Sequence, residues 1–132
     1  MIDVAAAWLV NERGEILICR RAPSQSRAGY WEFPGGKFEA GEDGTQALRR
    51  ELMEELELEI RNIRLLAVRE HRYPNDTFRI HLYRCERSLP QEPRLSVHDD
   101  YRFANPEHLL DYKFLEGDIP LIQAILQGEQ EC

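Results

Sequence analysis

FPGGKFEAGEDGTQALRRELMEELEL, residues Phe33 to Leu58, carries six glutamates and one aspartate in a single short segment. Pro34-Gly35-Gly36 ends a short extended piece, Tyr30 to Phe33. Asp43, with Gln46 three residues on, forms a variant of the capping box, and no proline or glycine follows from Thr45 to Arg61. The spacing therefore predicts a helix from about Gly44 to Glu57. On it Leu48, Leu52 and Leu56 form an apolar stripe, while Glu51, Glu54 and Glu55 share a separate arc of about 100°. Like charges so spaced each cost roughly 0.2 to 0.5 kcal/mol in an isolated helix. They also lie past the first turn, where the helix dipole would have favoured them. Either Arg49, Arg50 and Arg61 neutralise a solvated face, or a cation gathers the carboxylates. The glycine turn just before the helix favours the cation, because backbone groups there approach a ligand with no side chain in the way. Oxygen donors of this number and hardness suit magnesium or manganese.

Around this segment the chain alternates strand-like and turn-like pieces. Val4 to Val10 and Glu15 to Arg20 read as a hairpin about Asn11-Glu12-Arg13-Gly14, and Ala22 to Ala28 as a loop. Leu65 to Tyr73 and Thr77 to Cys85 read as a second hairpin across Pro74-Asn75-Asp76. Leu89 to Ser96 is a loop, Tyr101 to Phe103 a last short strand, and Asn105-Pro106 starts a helical turn. Asp118 caps a final helix bearing Ile119, Ile122, Ile125 and Leu126 at helical spacing.

The 132 residues, 42% hydrophobic and 31% charged, suit one domain over residues 1–132 with a single core. No apolar stretch is long enough to cross a bilayer, and no leader pattern stands at the N-terminus, so a cytoplasmic protein with no membrane partner is expected. Cys19, Cys85 and Cys132 lack C-x-x-C spacing and read as reduced thiols. His71, His81, His98 and His108 lack metal-ligand spacing and are assigned to the surface or to strand packing. A net charge of −7 argues against duplex nucleic acid as a partner. A phosphorylated metabolite remains possible where a divalent cation stands between the two sets of oxygens.

The segment resembles the signature box of Nudix hydrolases, G-x5-E-x7-R-E-U-x-E-E-x-G-U with U a bulky apolar residue. Gly36, Glu42, Arg50, Glu51, Leu52, Glu54, Glu55 and Leu58 match, eight of nine specified positions, and Glu57 stands where the family has glycine. Arg20-Arg21, the run Glu32 to Lys37 and a late Pro120 extend the similarity toward MutT-type nucleoside triphosphate pyrophosphohydrolases. The resemblance implies an α/β/α sandwich with a mixed sheet between helices. It implies a Mg2+ (or Mn2+) site on the Gly35 carbonyl, Glu51, Glu54 and Glu55, with Glu51 also activating water, Glu42 supporting the cluster and Arg50 orienting the carboxylates. It places Arg21 near the phosphates, Phe33 near the base, and Gly36 and Lys37 in the substrate site. Judged alone, Arg21 also fits a solvated strand end and Phe33 core packing. Asp118 falls where such enzymes carry a base-reading asparagine, a role compatible with capping. The usual loop glutamate is replaced by Val97, and Asp99 or Asp100 could substitute.

The expected activity is metal-dependent hydrolysis of a nucleoside triphosphate to monophosphate and pyrophosphate, of the 8-oxo-dGTP kind. CTP or a modified dCTP is the second candidate. A non-catalytic nucleotide-binding module and an acidic helical interaction surface are the readings from other classes. ADP-ribose and dinucleoside polyphosphates fit less well, for want of an extra recognition segment. Monomer and homodimer are left open.

Overall fold

The computed structural model describes residues 1–128; Cys132 lies outside them. Seven strands, β1 (Ile2–Leu9), β2 (Ile16–Arg21), β3 (Trp31–Glu32), β4 (Gly35–Lys37), β5 (Ile60–Arg72), β6 (Thr77–Arg87) and β7 (His98–Ala104), accompany helices α1 (Gly44–Leu56) and α2 (Ile119–Leu126). Two 3-10 turns, Pro106–Asp111 and Glu116–Asp118, precede α2.

The strands form two sheets rather than one. The first has the order β4-β1-β6-β5, and the second β3-β2-β7. Strand β1 runs parallel to β6, from Ile2 opposite Phe78 to Leu9 opposite Cys85, and antiparallel to β4, with Ala5 opposite Gly36 and Ala6 opposite Gly35. Here the expected first hairpin needs correcting. Asn11 does close the turn, its side-chain oxygen accepting from the Arg13 and Glu15 amides at 3.0 and 2.9 Å. Beyond the Val10–Ile16 bridge, however, β1 and β2 part into different sheets. The reason lies in β1 itself, which is buried on both faces and so behaves as a central strand of a mixed sheet. The second hairpin forms as expected, although β5 starts at Ile60 and absorbs two irregularities, between Arg61 and Arg64 and between Leu65 and Ala67.

Alternation along β1 divides the core. Ala5, Ala7 and Leu9 pack with Leu17 and with Leu48, Leu52 and Leu56 of α1. Ala6 and Trp8 face the other way, onto Ile18, Phe33, Leu121 and Ile122. Helices thus cover opposite sides of the strand layer, the α/β/α arrangement expected. Small residues allow the close approach that brings β4 against β1: a Cβ on Gly35, whose φ is +149°, would collide with the Ala5 carbonyl. This strand pair carries the glycine turn to the foot of α1.

Candidate functional site

The capping box at the start of α1 is complete. Asp43 accepts from the Gln46 amide at 2.9 Å, and the Gln46 side chain accepts from the Asp43 amide at 2.8 Å. The helix is therefore fixed in register at its first turn, and the glutamates fall where the spacing predicts. At its other end Glu57 adopts the left-handed conformation, φ 53° and ψ 39°, and its amide reaches back to the Leu52 and Met53 carbonyls. The non-glycine residue neither lengthens the helix nor unmakes its exit. It occupies the strained position that glycine would fill without cost.

Arg50 is the hub of the acidic face. Its Nε donates to Glu42 at 2.7 Å, Nη1 to Glu51 at 2.8 Å and to Glu54 at 3.0 Å, and Nη2 to the Lys37 carbonyl and to Glu42, both at 3.0 Å. The Glu42 carboxyl is held below its ordinary range, first by Arg50 and next by the Glu39 amide. Arg50 in turn is pushed further into its charged form, chiefly by Glu42. One guanidinium thus ties the box glutamate of the loop to two helix glutamates and to β4.

Glu55 is arranged differently. Its side chain turns inward, the Gly35 amide donates to it, and its Oε1 is buried with no hydrogen-bond partner. Burial, followed by the charges of Glu51, Glu32 and Glu54, pushes its carboxyl up to about 8. The Glu51 carboxyl lies against Gly36, where a Cβ would stand only 2.5 Å from its Cδ. With Glu51 and Glu54 engaged by Arg50, no three His, Cys, Asp or Glu side chains among the described residues are arranged as a metal cage. The donor chemistry nonetheless fits a hard divalent cation. An orphaned carboxylate oxygen sits beside mutually repelling carboxylates at a turn whose glycines leave room for a ligand.

Beside this cluster opens a cavity of about 490 Å³ lined by Arg21, Phe33, Gly35, Gly36, Lys37, Glu55 and Asp118. Every substrate-side residue expected from sequence is therefore brought to one wall system. Glu42, Arg50, Glu51 and Glu54 do not line the cavity. Phe33 lines the cavity and packs into the core, on Trp8 and Phe114 at ring separations of 5.6 and 5.2 Å. Tyr73, Phe78 and Ile80 of the β5–β6 hairpin add apolar surface to the lining.

Asp118 requires a correction. It makes no side-chain cap to α2. Only 7% exposed, it accepts instead from the Phe33 amide at 3.3 Å. Burial, then the charge of Glu32, pushes its carboxyl up to about 7, against the opposing pull of that amide. Asp99 and Asp100 are also spoken for, by Arg20 at 2.7 Å and by Arg102 at 2.6 Å, and neither lines the cavity.

Two polar residues of the site escaped the sequence. Glu32, in the run before the box, lines the cavity and faces both Glu55 and Asp118. His98 falls three residues before the expected last strand. It lies on β7, buried, as the strand-packing assignment expects, with its Nε2 2.8 Å from Glu32.

A two-sheet α/β/α domain thus sets an acidic helix, fed by a glycine turn, beside a cavity lined by charged and apolar side chains and an orphaned carboxylate oxygen. The family is then fixed by comparison. The NUDIX domain profile matches residues 2–125, and the chain belongs to the Nudix hydrolases. It is 32% identical to a CTP pyrophosphohydrolase of Escherichia coli (strain K12), over 96% of this chain and 92% of that protein. It is 36% identical to the 8-oxo-dGTP diphosphatase of the same organism, over 65% of this chain and 67% of that one. In structure it resembles the E. coli ORF135 protein, with a TM-score of 0.82 at 32% identity, covering 98% and 91% of the two chains. It also shares its fold with a MutT Nudix hydrolase from Burkholderia pseudomallei, at TM-score 0.80 and 24% identity, covering 92% and 95%.

Proposed function

We propose that the chain, as a single domain, hydrolyses a nucleoside triphosphate of the 8-oxo-dGTP type to the monophosphate and pyrophosphate. The observation that carries this reading is the alignment of one cavity with two chemistries. Its lining brings Glu55 and the glycine turn together with Phe33 and Asp118. A triphosphate suits the first and a base the second.

Mg2+ or Mn2+, held by Glu51, Glu54, Glu55 and the Gly35 carbonyl, would neutralise phosphate charge and lower the barrier to in-line attack by water. Arg50 holds Glu51 and Glu54 together and oriented, leaving Glu51 placed to accept the proton of that water. Arg21 and Lys37 offer donors to the phosphate oxygens. The base stacks on Phe33 and meets Asp118, which in its neutral form both donates and accepts a hydrogen bond and so suits a purine edge carrying adjacent oxygen and N–H.

CTP is the second reading. The relative named for it is similar over nearly its whole length, and a neutral carboxyl also pairs with the N3 and amino group of cytosine. A net charge of −7 favours free nucleotides over duplex nucleic acid.

The test is pyrophosphate release from ordinary and oxidised nucleoside triphosphates, with and without Mg2+, ranked by kcat/KM. Highest kcat/KM for the oxidised purine supports the first reading, and for CTP the second. Tight nucleotide binding with no metal-dependent release would identify a binding module.

A further inference from the structure

We propose that His98 is a positioning residue for phosphate binding: through Glu32 it fixes the Arg21 guanidinium at the cavity wall. This rests on the proposed reading of the cavity as a nucleoside polyphosphate site, and it adds a residue that touches no substrate.

The second sheet sets up the arrangement. Cys19 of β2 pairs with Glu32 of β3, and Arg21 of β2 pairs with His98 of β7, just after a register shift between Arg20 and Arg21. An irregularity of that kind re-aims the side chain that follows it. Three strands thus deliver a histidine, a carboxylate and a guanidinium to one place. His98 Nε2 lies 2.8 Å from Glu32 Oε2, and Arg21 Nη1 donates to both Glu32 oxygens at 3.1 and 3.2 Å.

The environment of each group shows which one serves the others. The His98 side chain is 1% exposed, and its Nδ1 is buried without a partner. A histidine kept only for packing would be replaced by an apolar residue at no polar cost. Among the described residues the only polar partner of its side chain is Glu32. Glu32 in turn faces two other acidic groups, Glu55 and Asp118, on the cavity side. Donors on the protein side are what keep its carboxylate from swinging away from them.

Arg21 benefits from this clamp. Its Nε donates to the Ser26 carbonyl at 2.6 Å and its Nη2 to the Ser26 hydroxyl at 3.2 Å. Of five N–H groups, at least one, on Nη2, is left for oxyanions in the cavity that Arg21 lines. A guanidinium already immobilised loses little further freedom when it binds phosphate.

The experiment compares His98→Leu with His98→Gln, whose amide N–H can still donate to Glu32. Steady-state kinetics are run on the best triphosphate of the screen, with the Arg21 Nε–H followed by 15N NMR and Tm recorded for each protein. The expected result is a KM raised about tenfold in His98→Leu with a smaller change in kcat, restored to within about threefold in His98→Gln. The Arg21 Nε–H signal should be sharp in the parent protein and in His98→Gln, and broadened or lost in His98→Leu. An unchanged KM in His98→Leu, or a raised KM that glutamine fails to restore at equal Tm, overturns the inference. If the parent protein hydrolyses no triphosphate, the functional proposal falls by itself. The NMR signal then decides alone, and its persistence in His98→Leu overturns the positioning role.

Discussion

The Phe33 amide donates to the carboxyl of Asp118 at 3.3 Å, a hydrogen bond that ties the strand before the glycine turn to the start of the last helix, 85 residues later. It satisfies only part of a buried carboxyl that burial and the Glu32 charge push up to about 7 from an ordinary value of 3.8. The sign of the linkage follows. Between about 4 and 7 the folded chain keeps a proton that the unfolded chain releases, so this group's contribution to stability falls as pH rises through that window. Asp118→Asn keeps an acceptor for the Phe33 amide and removes the ionisation. We expect it to raise stability by roughly 2 to 4 kcal/mol at pH 8 and to leave it nearly unchanged at pH 4. Thermal unfolding of both proteins at the two pH values checks this. An equal difference at both would show that Asp118 is not held protonated.

Arg50 makes five hydrogen bonds to Glu42, Glu51, Glu54 and the Lys37 carbonyl. Lysine preserves the charge but not the planar fork, so Arg50→Lys cannot grip Glu42 and Glu51 together. Turnover should fall by about 10- to 100-fold, as when groups that orient metal-binding carboxylates are lost, and the Mg2+ concentration needed for half-maximal rate should rise. A magnesium titration of the rate reads both effects. A variant with parental rate and magnesium demand would remove Arg50 from the machinery.

The parts of this molecule that could be read in the sequence are those built from neighbours. The α1 capping box, its leucine stripe and the clustering of Glu42, Arg50, Glu51 and Glu54 all arise within one helix and the turn before it. The division into two sheets could not be read. It depends on β1 finding β6 some 76 residues along the chain, at Ile2 opposite Phe78, and no local pattern distinguishes that from a hairpin with β2. Glu32 and His98 were missed for a related reason, since they meet only through the register of three strands. Asp118 was misread because its position suits a cap, whereas burial gave its oxygen a better donor in Phe33.

Glu57 gives a stability prediction independent of catalysis. Its left-handed conformation is unfavourable for a residue with a Cβ, and its carboxylate sits at the negative end of the helix dipole. Its contact with Arg94, at 3.9 Å between exposed side chains, offsets little. Glu57→Gly should stabilise the fold by about 0.5 to 1 kcal/mol, a rise in Tm of about 2 to 5 °C for a chain of this size. Differential scanning calorimetry gives the answer directly, and a lowered Tm would mean that the glutamate is held there by a contact stronger than its exposed pair.

Glu51 separates the enzymatic reading from the binding-module reading most sharply. Its carboxyl lies against Gly36 and accepts from Arg50 at 2.8 Å. The amide of glutamine keeps an oxygen for that bond and fills the same space, so Glu51→Gln should fold with a Tm close to that of the parent. It also weakens the like-charge crowding around Glu55, which acts in the stabilising direction. What the amide lacks is a basic oxygen for the proton of the attacking water and a full negative charge for the cation. Loss of a positioned base alone costs about 10²- to 10⁴-fold, and the weakened metal grip adds to that, so turnover should fall by about three orders of magnitude or more. Single-turnover pyrophosphate release at saturating Mg2+ isolates the chemical step from binding. A rate within tenfold of the parent, in a protein with unchanged Tm, would move the base elsewhere in the cavity and leave Glu51 a structural partner of Arg50.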